Sequence, residues 1–175
     1  MDTLEKYITE DLHRYLHSEG EMDERTPDAP DIEGKWQQIA EAYIPDGIRE
    51  FNGYPTVSLG WMMYVGMAVA KYWDDEWDVY NKVENLYTYL RDKEGYDTMD
   101  EYIRGKVLLL KDADFKRTED IVSECASRTY AALRRQHIEP GTKEAFHAYV
   151  ACLHQLYLAG AYMQLYRMGY KMTKM

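Results

Sequence analysis

The strongest hydrophobic signal in the chain is an unbroken run of twelve apolar or small residues, Leu59 to Ala70. Apolar on every side, it predicts a helix buried all round, and it falls short of the roughly 20 residues that span a bilayer. Elsewhere apolar residues recur at intervals of three and four, and no stretch alternates as a strand requires. Leu4, Tyr7, Ile8, Leu12, Tyr15 and Leu16 share one face of a helix over residues 3–18, which Gly20 ends. Residues 20–31, with two prolines and five acids, predict an acidic, mobile loop.

Asp31 is expected to cap a helix carrying Trp36, Ile39, Ala40 and Tyr43, stopped by Pro45 for want of an amide hydrogen. Asp46 then caps a short helix to Phe51, and residues 52–55 form a turn. A long helical region from Thr56 or Ser58 to about Lys93 follows, continuous or hinged near Asp74. Further helices cover Thr98–Lys111, a stretch from Asp114 or Thr118 to Leu133, and residues 142–168 with Thr142 as cap. The pattern predicts an all-α fold, a mostly antiparallel six- to seven-helix bundle making one domain of residues 1–175. Glycine costs about 1 kcal/mol inside a helix, so Gly66 and Gly160 in two apolar helices predict that those helices cross there.

Charge adds a polarity to this picture. The net charge is −10, but residues 1–100 carry 23 acids against 9 bases and residues 101–175 carry 8 against 12. The overall balance disfavours nucleic acid and anionic lipid, including binding through Arg128, Arg134 and Arg135. The run Arg134–His137 ends a helix, where basic residues complement the helix dipole. With no basic, apolar leader after Met1 and no spanning helix, the expected location is cytoplasmic. Cys125 and Cys152, set among small apolar residues, read as reduced buried thiols.

Candidate chemistry is sparse. Asp74-Asp75-Glu76-Trp77-Asp78 resembles the DDxxD pattern with which isoprenoid-synthase helices present carboxylates to magnesium and a diphosphate. Asp74, Asp75 and Asp78 are therefore the candidate metal ligands of a magnesium-dependent enzyme acting on a phosphorylated substrate. The chain is short for such an enzyme and has no second acidic motif. Helical projection places Leu59, Met62, Met63, Gly66, Ala70, Trp73, Trp77 and Tyr80 on one apolar stripe, and the aspartates opposite it. An Asp78–Lys82 pair then serves the solvent face, and the two tryptophans become the residues that matter structurally. His13 and His17, one turn apart beside Glu10, fit a solvent-facing surface better than a metal clamp. His147 and His154 lie two turns apart, too far to chelate one ion as a pair, and read as satisfied histidines at the core edge.

No phosphate loop, nucleophile elbow or zinc helix is present in the sequence. Seventeen tyrosines against three phenylalanines suit half-buried faces, and also an aromatic-lined groove for a ligand or partner. The reading the sequence supports best is a non-enzymatic protein-interaction or ligand-binding module with no cofactor. Its expected partner is another protein or a second copy in a homodimer.

Overall fold

The computed structural model describes residues 3–170. Within them lie eight α-helices and no strand, confirming the all-α class: α1 (Thr3–Ser18), α2 (Pro30–Glu33), α3 (Trp36–Gly53), α4 (Pro55–Tyr80), α5 (Leu86–Glu94), α6 (Met99–Tyr102), α7 (Asp112–Arg134) and α8 (Lys143–Arg167). None of these helices is long and apolar enough to cross a membrane. The buried side chains form one continuous core.

At its centre α4 packs along α8, the most extensive helix pair in the molecule. A Cβ on Gly66 would strike the Tyr157 carbonyl, and one on Gly160 would strike the Met63 carbonyl. The two backbones therefore touch where the glycines predicted that they cross. From Leu59 to Ala70 only Trp61 is not fully buried, as an all-round apolar sequence requires. Both cysteines are buried, and neither is in a disulfide.

The helix expected to stop at Pro45 runs through it and ends at Gly53. A proline removes one hydrogen bond, but the residues around it are tied down from outside the helix. Tyr43 donates to the Ser58 carbonyl (2.5 Å), and Ser58 Oγ donates to the Gly47 carbonyl (2.8 Å). Asp46, expected to open a new helix, instead sits within α3. It accepts from the Tyr87 hydroxyl at 2.6 Å and pairs with Arg49 and Arg91. Asp31 is likewise no cap, since Ala29 occupies that position before α2.

Another expectation fails for a backbone reason. The expected helix over residues 98–111 shrinks to α6, followed by a π-helical turn at Ile103–Val107. Leu109 then takes positive φ, as does Asp112, the residue at which α7 begins. The turn rotates Arg104 inward until it is 2% exposed. Its guanidinium pairs with Asp100 (3.1 Å), donates to the Phe115 carbonyl (3.2 Å) and lies 4.1 Å from the Phe115 ring centre.

The acidic loop is anchored rather than mobile at its start. Glu21 is buried and accepts from Arg167 at 2.6 and 3.0 Å and from Arg117 at 2.9 Å, while Met22 enters the core. His13 Nε2 donates to the Asp23 carbonyl (2.8 Å) and His17 Nδ1 to the Met22 carbonyl (2.9 Å). The pair thus holds the loop against α1, His17 exposed as expected and His13 half-buried.

Candidate functional site

The DDxxD segment lies at the end of α4, where Glu76 leaves helical geometry at φ −163° and ψ 69°. The region is therefore hinged, two residues beyond Asp74, and it ends at Tyr80 instead of running on to Lys93. The buried face also differs from the helical projection, already ahead of the break. Trp73 and Trp77, expected inward, are half-buried, and the buried aromatic is Tyr72, on which Tyr80 stacks at 4.0 Å. Trp73 donates to Asp31 (3.1 Å), and Lys35 lies over the Trp77 ring.

Asp74, Asp75 and Asp78 are all exposed. Asp74 accepts from the Tyr170 hydroxyl (2.5 Å), and Asp75 pairs with Lys71 (2.8 Å). Lys82 falls beyond the helix end, and no Asp78–Lys82 pair forms. Among the described residues no group of three His, Cys, Asp or Glu side chains is arranged to hold a metal ion, the Glu10–His13–His17 face included. His147 is exposed. His154 stacks flat on Trp36 (4.7 Å, 9° between planes), and its buried Nε2 has no hydrogen-bond partner among the described residues. It is a packed histidine, not a satisfied one.

The concave feature best suited to binding lies elsewhere, where α3 ends, α7 ends and α8 begins. Phe51 from α3, Tyr130 from α7 and Tyr149 from α8 form its aromatic floor. The Phe51 ring meets Tyr149 at 5.0 Å and Tyr130 at 5.9 Å, both edge to face, an arrangement that aromatic quadrupoles favour. Leu133, Ile138, Pro140 and Ala145 complete an apolar wall. Arg134, Arg135 and His137 form the rim, and the cavity measures about 670 Å³. A second lobe of about 360 Å³ shares Phe51, Pro140, Ala145 and Tyr149 and continues past Ile48, Asn52, Thr142 and Phe146. The cleft beside Trp61 and Tyr64 is smaller, at about 250 Å³, and the one at His13 and His17 measures about 390 Å³.

Why the sequence builds a groove here follows from three local features. After α7 the chain turns back through His137 (φ 53°) and Gly141 (φ 79°), lifting Ile138 and Pro140 over the helix ends. Thr142 caps α8 by accepting from the Ala145 amide (3.1 Å), as its position predicted. Tyr149 is fixed from below. Because Ser58 Oγ spends its hydrogen on Gly47, the Tyr149 hydroxyl is the donor in its 2.6 Å bond to Ser58. That hydroxyl enters beside Gly47, where a Cβ would come within 2.5 Å of it. The polar end of Tyr149 is consumed in the core, and its ring is left to the groove.

The rim is electrostatically open. Arg134 lies over Tyr130 (5.7 Å) and Arg135 over Tyr7 (5.6 Å), with a 3.1 Å bond to the Tyr7 hydroxyl. Among the described residues neither arginine has a carboxylate within ion-pair distance, whereas Arg91, Arg104, Arg117, Arg128 and Arg167 all do. The sequence pointed to Arg134–His137 only as a helix terminus. Phe51, Tyr130 and Tyr149 were invisible as a set, since 51 and 149 meet only after folding. Comparison with family models, with curated proteins and with solved structures finds no match for this chain.

Proposed function

We propose that the chain is a non-enzymatic binding module whose working face is the Phe51–Tyr130–Tyr149 groove. One observation carries the reading: an aromatic, apolar floor adjoins two arginines free of carboxylate partners, on a molecule of net charge −10. Binding sites combine mainly apolar walls with a few polar groups that fix orientation, and this groove does so. Its polar residues are arginine, histidine, threonine and asparagine, the means of holding a ligand in place rather than a nucleophile with its base.

The dye 1-anilinonaphthalene-8-sulfonate, aromatic and anionic, matches this lining and reports binding by fluorescence. Saturable enhancement by the folded protein is expected, weakened by R134E/R135E on the rim and by I48E/F146E in the second lobe. Ile48 and Phe146 are 38% and 41% exposed, so these changes spare the core. Enhancement that is absent, or equal in all three proteins, contradicts the reading.

A further inference from the structure

We infer that the occupant of the groove is an acidic peptide segment of a partner protein, with two apolar anchor side chains and carboxylates beside the first. The inference rests on the groove being the binding face and goes on to name what fills it.

Shape argues for an extended occupant. Two lobes meet across a shared wall of Phe51, Pro140, Ala145 and Tyr149, so one compact group cannot fill both. Phe146 and Ile48 stay well exposed on the second lobe. Pockets for small ligands bury most of the ligand, whereas an open surface with exposed large apolar side chains suits a macromolecular partner. Aromatic and arginine side chains are also the types enriched in the energetic centres of protein interfaces.

Charge argues for acidity. Arg134, Arg135 and His137 all belong to the first lobe, and no acidic side chain lines either lobe. Gly141, Thr142 and Ala145 place the positive end of the 25-residue helix α8 on the second. The first lobe thus favours negative charge, the second offers only the helix end with Glu144 in its first turn, and the molecule as a whole repels negative charge. A short acidic segment can use the local field; a long polyanion meets the full charge of −10.

Fluorescence anisotropy with three fluorescein-labelled synthetic 12-mers tests this. One has Leu and Phe anchors separated by glutamates, one has lysine in place of every glutamate, and one keeps the glutamates but has serine for the anchors. The acidic anchored peptide should bind at least about tenfold more tightly than either other, and R134E/R135E should abolish or reverse the preference for acid. Raising salt to 0.5 M should narrow the difference, because the Debye length there falls to about 4 Å. Equal binding of acidic and basic peptides overturns the inference, as does acidic binding untouched by R134E/R135E. Binding of the naphthalene dye with no binding of any peptide keeps the groove and overturns the peptide. Self-association that R134E/R135E removes assigns the groove to a second copy, and also overturns it. Loss of dye binding as well removes the groove reading itself, so the two failures are told apart.

Discussion

At the scale of single residues the fold depends on a few positions where one atom decides the outcome. An alanine at 160 places its Cβ against the Met63 backbone carbonyl, which cannot rotate away. G160A should therefore cost about 3 kcal/mol, the upper end for overpacking, even after the ~1 kcal/mol gained in helix propensity. At Gly53, where an added Cβ meets nothing within 4 Å, G53A should be neutral or stabilising by up to about 1 kcal/mol. Urea unfolding of both variants checks the pair, and equal effects would mean that α4 and α8 do not touch as described. His154 gives a pH dependence. Burial holds its pKa below the ordinary 6.5, with Glu5 and Glu33 opposing only in part. A histidine whose folded pKa is depressed contributes stability above the unfolded value and loses it as pH falls through the folded one. Stability should therefore decline from about pH 6.5 downward, and H154Q should flatten that decline in urea midpoints measured between pH 7 and 5.

At the scale of elements, propensity and capping located most of the helices but only some of their ends. Thr142 lies at the terminus that the sequence predicted, because a cap is a local property. Pro45, Asp31 and Asp46 misled because each is overruled by a distant partner: Ser58 holds α3 together past the proline, while Trp73 and Tyr87 claim the aspartates. The π-helical turn has the same origin. Its reward is a guanidinium bonded to Asp100 and seated between the Tyr64 and Phe115 rings, neither of which belongs to residues 98–111. R104M should cost about 3 kcal/mol at neutral pH by stranding the Asp100 carboxylate and the Phe115 carbonyl. Burial already raises the Asp100 pKa despite Arg104, so loss of the arginine raises it further. A carboxyl with a raised folded pKa favours folding once protonated, and the R104M deficit should shrink as pH falls from 7 to 4. A deficit independent of pH in chemical denaturation would show that Asp100 takes no part. Glu21 runs the other way. Burial raises its pKa, but bonding to Arg167 and Arg117 outweighs this and holds it below the ordinary 4.5. Its contribution is present above that value and lost below it.

At the scale of the whole molecule, the all-α class and the α4–α8 crossing were legible because periodicity and interior glycine are written in consecutive residues. The acidic run at Asp74–Asp78 drew attention because motifs are read along the chain, yet it marks the exposed, kinked end of a core helix. The groove escaped notice because its floor joins positions 51, 130 and 149. What the sequence did carry was a tyrosine surplus fit for a groove and a basic second half on an acidic protein. The structure gathers part of each at one end of α7, where two arginines beside an aromatic floor lack the carboxylates that Arg91, Arg104, Arg117, Arg128 and Arg167 possess. That asymmetry is the basis for assigning the molecule a binding role. The most direct test maps where the acidic anchored 12-mer lands, by its effect on backbone amide resonances of the isotopically labelled protein. Shifts should be concentrated at Ile48–Phe51, Tyr130–Ile138 and Gly141–Tyr149. Shifts centred instead on Asp74–Asp78, on the Trp61–Tyr64 cleft, or spread evenly over the surface would contradict it.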